Sequence, residues 1–122
     1  MRRIVIRKPG GYSTLELIEE PDPAPGPGEV VIAVEAVGVN YADGIIRMGL
    51  YESAKRLHGY PITPGFEVAG RIAARGPGVD GWDIGDPVIG LTLFNGYACQ
   101  LCLEVDGVFP VPRGLDMAEA AT

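Results

Sequence analysis

The chain has 122 residues, enough for one domain with a real core and too few for two typical ones. It is acidic, with a formal charge of −6, and has no stripe of Lys and Arg of the kind a nucleic-acid surface needs. Its first residues lack the apolar stretch of a signal peptide, no apolar run approaches the ~18 residues of a membrane span, and two cysteines make no disulfide framework, so a reducing cytoplasm is the expected compartment.

Eighteen glycines and eleven prolines punctuate short apolar runs, which favours a turn-rich β fold over a low-complexity chain. Ile4 and Ile6 alternate with their neighbours and predict a first strand, and Leu15 and Leu17 a second, with a glycine turn between. "EEPDPAPGPGE" carries four prolines and reads as an extended surface connection. Glu29 to Val39 is the strongest strand. Its apolar residues fall on both faces, which predicts burial on both. A short helix follows, with Asn40 at its N-cap, Asp43 in the positive first turn and Gly49 at the left-handed C-terminal position. Ile45, Ile46 and Met48 are expected to pack it down.

Leu50 to Pro64 reads as a loop, Glu67 to Arg75 as a strand, and "GPGVDG" as a turn. Asp83 to Leu93 and Tyr97 to Val105 are two further strands, and "GVFPVP" closes the β region. Asp116 and Glu119 form a capping box ahead of the final alanines, so a helix begins there. The total is six or seven strands and two short helices, a barrel or sandwich.

Each motif with chemical potential has a plainer alternative. Glycines 76, 78 and 81 spell G-x-G-x-x-G, but that fingerprint needs a helix after it to meet a pyrophosphate. "WDIGDPVIG" follows instead, and Gly85 and Pro87 would break a helix, so an ordinary turn is expected. Cys99 and Cys102 lie three apart on a predicted strand and point to opposite faces, so a buried, inert pair is expected rather than a zinc site. His58, Lys55 and Arg56 sit in a polar loop and read as solvated. Asn40, Asp43 and Tyr51 stand at the end of a buried strand, as cap, first-turn charge and half-buried aromatic, or as a site.

"GVNYADGIIRMGLY", "YPITPGFEVAGRIAARGPGVDGWDIGDPVIG" and "NGYACQLCLEVDGVFPVP" together resemble the medium-chain dehydrogenase/reductase superfamily, in order and over nearly the whole chain. The branch most resembled is the zinc-independent quinone oxidoreductases, including the vesicle amine transport protein-like members. The resemblance implies a mainly β fold, the GroES-like N-terminal catalytic domain over residues 1–122, a distorted and partly open β-barrel with short helices. Zinc-dependent alcohol dehydrogenases carry a cysteine where this chain has Asn40 and a histidine where it has Phe66. Their proton-relay serine or threonine corresponds to Ala42, and Glu67 alone remains of the "GFE" block's polar groups. No metal is therefore expected.

By the same resemblance, Asn40 is the catalytic residue and, with Tyr51, lines a cleft for the cofactor and substrate. Asn40 offers an amide near the nicotinamide, and Tyr51 offers a ring and hydroxyl to the substrate. The implied chemistry is hydride transfer from NADPH or NADH to a small-molecule quinone or an activated alkene or carbonyl. The Rossmann domain that would bind the dinucleotide is missing from the chain, so the isolated chain is expected to be inactive and to need that domain in cis or in trans. A stand-alone interaction module that kept the barrel without the chemistry is the alternative; a co-chaperonin role ranks below both, because Pro21 to Gly28 is rich in proline and acid rather than in mobile apolar residues.

Overall fold

The computed structural model describes residues 1–122. Two antiparallel strands, β1 (Arg2–Ile6) and β2 (Leu15–Glu19), form a small hairpin sheet. A five-stranded antiparallel sheet is built from β3 (Glu29–Val37), β4 (Glu67–Arg75), β5 (Pro87–Leu91), β6 (Gln100–Glu104) and β7 (Val108–Pro110), in the spatial order β6-β3-β4-β5-β7. Three short helices complete the chain, α1 (Tyr41–Arg47), α2 (Glu52–Leu57) and α3 (Met117–Ala120). No helix is long and apolar enough to cross a membrane.

The segment just before β6 joins the two sheets. The Ile4 amide donates to the Tyr97 carbonyl at 2.9 Å, the Cys99 amide to Arg2 at 3.0 Å, and the Val34 amide to Cys99 at 2.9 Å. One stretch thus bonds to β1 on one side and β3 on the other, which curls the assembly into a partly open barrel. Register shifts between Val31 and Ile32 and between Val34 and Ala36 bend β3 against β4 in the same sense.

Val30, Ile32, Val68, Ile72, Val88 and Leu101 fill the barrel's centre. β3 is buried on both faces through Val30, Val31 and Ile32, as its sequence predicts, and is partly exposed beyond them. A second cluster of Ile6, Ile46, Ala54, Ile62 and Phe94 seats α1 and α2 against the hairpin sheet. A third places Ala120 and Ala121 on Ala69. There the Asp116–Glu119 capping box forms as expected, with the Glu119 amide donating to Asp116 Oδ1 at 2.7 Å.

Several expectations are corrected. The region from Leu50 to Pro64 is not all loop, because it contains α2; that helix buries only Ala54 and has Tyr51 at its N-cap, so it has neither an apolar stripe nor a usual cap to announce it. Met48 is 43% exposed rather than packed down. It lies at the C-cap of α1, where the chain already turns away through Gly49 at φ 79°. The Gly49 amide donates to Ile46 and the Leu50 amide to Ile45, both at 3.0 Å, the double bond pattern that a left-handed glycine allows at a helix end. The third long strand ends at Val37, and the two predicted C-terminal strands contract to Pro87–Leu91 and Gln100–Glu104. Cys99 and Cys102 are half-buried rather than buried; Cys102 lies on β6, an edge strand with one side open.

Candidate functional site

Polar groups gather where β3 runs into α1. Asn40 occupies the N-cap position with extended backbone, as predicted, and pairs with Asp43 in a capping box. The Asn40 backbone amide donates to Asp43 Oδ2 at 2.9 Å, and the Asn40 Nδ2 donates to Glu67 Oε1 at 3.3 Å, at the first residue of β4.

Asp43 is 5% exposed. Its Oδ2 also accepts the Tyr97 hydroxyl at 2.7 Å, while its Oδ1 is buried without a partner. Burial, then the hydrogen bond to Asp43 and its charge, push the Tyr97 phenol well above the ordinary tyrosine range, so it stays a donor. Tyr97 is pinned by its own backbone: its amide donates to the Pro64 carbonyl, and its carbonyl accepts from Ile4, both at 2.9 Å. Strand pairing therefore sets where that hydroxyl can reach.

Asn40, Asp43 and Tyr97 line a groove of about 490 Å³, with Val39, Tyr41 and Tyr12 among its walls. Tyr51 does not line this groove. Its ring lies 6.1 Å from Phe66, which lies 6.2 Å from Phe94. Asn40 and Tyr51 are thus linked through the Phe66–Glu67 dipeptide, one touching each member. A larger depression, about 620 Å³, lies between Glu29, Leu93, Cys102 and Asp106, away from these residues.

The glycine fingerprint and His58 behave as their plainer readings predict. Residues 76–81 form a turn that leads through Gly85, at φ 92°, into β5 rather than into a helix. His58 is exposed, with Nδ1 2.7 Å from the Gly59 carbonyl. Lys55 and Arg56 are exposed on α2. The Cys102 thiol is pushed up by burial and then by Glu29, whose Oε1 is 3.6 Å away. No three His, Cys, Asp or Glu side chains gather closely enough to hold a metal ion. The sequence reading missed Tyr97 as a site residue and Glu67 as the partner of Asn40. The polarity of Asp43 inside an apolar helix face was the one available signal that a buried donor had to come from elsewhere.

Comparison with known proteins identifies the family of the domain. The family described as alcohol dehydrogenase GroES-like domain matches residues 26–114. The human synaptic vesicle membrane protein VAT-1 homolog-like is 35% identical over 121 residues, covering 99% of this chain and 28% of that protein. Its crystal structure superposes with a TM-score of 0.92, over 38% of the crystallised chain. CurK enoyl reductase gives a TM-score of 0.91 at 32% identity, covering 98% of this chain and 38% of that one. Escherichia coli quinone oxidoreductase complexed with NADPH gives 0.90 at 28% identity, covering 99% and 36%. The chain therefore spans well under half the length of each of these proteins.

Proposed function

Because the chain belongs to the alcohol dehydrogenase GroES-like domain family, we propose that residues 1–122 are the N-terminal catalytic domain of a zinc-independent oxidoreductase of the medium-chain dehydrogenase/reductase superfamily. It reduces quinones or activated alkenes and carbonyls with NADPH or NADH. The observation that carries this reading is the Asn40 carboxamide, held at the edge of a groove by Glu67. Phe66 stands beside Glu67 and brings no ligand atom, so a lone carboxylate faces an amide there, too few groups for a catalytic zinc.

The dinucleotide would supply the hydride. Its phosphates do not fit this chain, whose one glycine fingerprint is a turn running into a strand. They belong to a nucleotide-binding domain in the longer protein, supplied in cis or in trans. What this chain contributes is position and polarity: Asn40 offers an N–H to oxygen that gains charge, and Tyr12, Val39 and Tyr41 wall the groove beside it. Asp43 and Tyr97 fix the backbone from which Asn40 projects.

The test is a chimaera in which this chain replaces the matched third of the E. coli quinone oxidoreductase. The expected result is quinone-dependent oxidation of NADPH that survives chelation of metals, with none from the 122-residue chain alone. A folded chimaera that binds NADPH yet reduces neither quinones nor enones would overturn the proposal.

A further inference from the structure

Asn40 is held at two points by two different acids. Asp43 takes its backbone N–H at 2.9 Å, and Glu67 takes a side-chain N–H at 3.3 Å. An ionised carboxylate only accepts, so the end of the carboxamide facing Glu67 must be the NH₂. Glu67 therefore decides which way the amide is turned. The second N–H is left for another partner.

The surroundings of Glu67 are built to allow this contact. The Gly38 amide donates to the Glu67 carbonyl at 2.9 Å. A Cβ on Gly38 would fall within van der Waals overlap of Glu67 Oε1 and Cγ and of the Ala121 carbonyl. The missing side chain at position 38 leaves the space across which Glu67 reaches Asn40. A glutamate needed only to start β4 would require no such gap.

We propose that Glu67 is a positioning residue: it fixes the orientation of the Asn40 carboxamide and thereby the hydrogen-bond pattern shown to an acceptor. This deepens the functional reading above and rests on it only for the statement that Asn40 meets the substrate. The substrate never needs to touch Glu67.

The chain suits a direct test, because its only carboxamide side chains are Asn40, Asn95 and Gln100. In ¹⁵N-labelled 122-residue protein, the Asn40 NH₂ pair is assigned by its disappearance in Asn40→Asp. One of its two protons should lie downfield, as expected for donation to a carboxylate. In Glu67→Ala that displacement should vanish. In Glu67→Gln, where only a neutral amide oxygen remains, it should shrink, with the Asn95 and Gln100 pairs unmoved in both variants. If Glu67→Ala does not fold, Glu67→Gln decides alone. An Asn40 pair at one unchanged position in the wild type and in every folded variant would overturn the proposal. The measurement involves no cofactor or acceptor, so it can fail while the chimaera succeeds, and the reverse.

Discussion

The centre of the barrel and the junction of β3 with α1 obey different rules. In the centre, Val30, Ile32, Val68 and Val88 are fully buried, apolar and on strands whose sequence pattern asks for that burial. At the junction, a buried aspartate keeps one oxygen without a partner, and an asparagine in a capping position also reaches across to a glutamate on β4. The first region agrees at every level, from propensity to packing. The second spends local stability on placing polar groups at a groove, the pattern expected where a fold has been shaped for chemistry.

Substitutions should separate the two regions. The largest effect belongs to the core. Ile32→Ala should cost about 2–5 kcal/mol, read from urea denaturation, because the packed centre relaxes only partly around the missing atoms. A cost under about 1 kcal/mol would mean that the centre is looser than its burial implies.

Tyr97→Phe should cost less, about 1–3 kcal/mol, by removing one of the two donors to a buried carboxylate. It should also change the alkaline limb. The Tyr97 phenol is raised in the folded state, so between the unfolded and folded values the native protein holds the extra proton. Stability then falls as pH rises through the unfolded value, about 10. The variant should show a shallower fall above that pH, and an unchanged alkaline slope would show that Tyr97 ionises freely.

The smallest effect is chemical. Burial and Glu29 keep the Cys102 thiol protonated beyond its usual range, so it should alkylate several-fold more slowly than a free cysteine at about pH 8, followed by peptide mass mapping. Labelling of Cys102 at the free-cysteine rate would remove the shielding argued for that edge of the sheet.

The sequence made the barrel legible wherever a signal was local. The two-faced run through β3, the turn at residues 76–81, Gly49 and the Asp116–Glu119 box each act over a few residues. α2 was hidden because it buries a single alanine. The site was half legible for a similar reason. Asn40 and Asp43 stood out as polar groups ending an apolar strand. Their partners, Glu67 and Tyr97, lie 27 and 54 residues further along the chain. Those pairings depend on strand order and register, which bring β4 beside β3 and seat Tyr97 between Ile4 of β1 and Pro64, and periodicity carries neither.

The central claim is that Asn40 serves chemistry more than stability, and one substitution tests it most directly. In the chimaera with the quinone oxidoreductase, Asn40→Ala should cost no more stability than the loss of an N-cap, about 1 kcal/mol, since the side chain is exposed. Turnover with quinone should fall at least about tenfold, toward the loss seen when a single donor to a developing oxyanion is removed. Unchanged turnover in the folded variant would contradict the account.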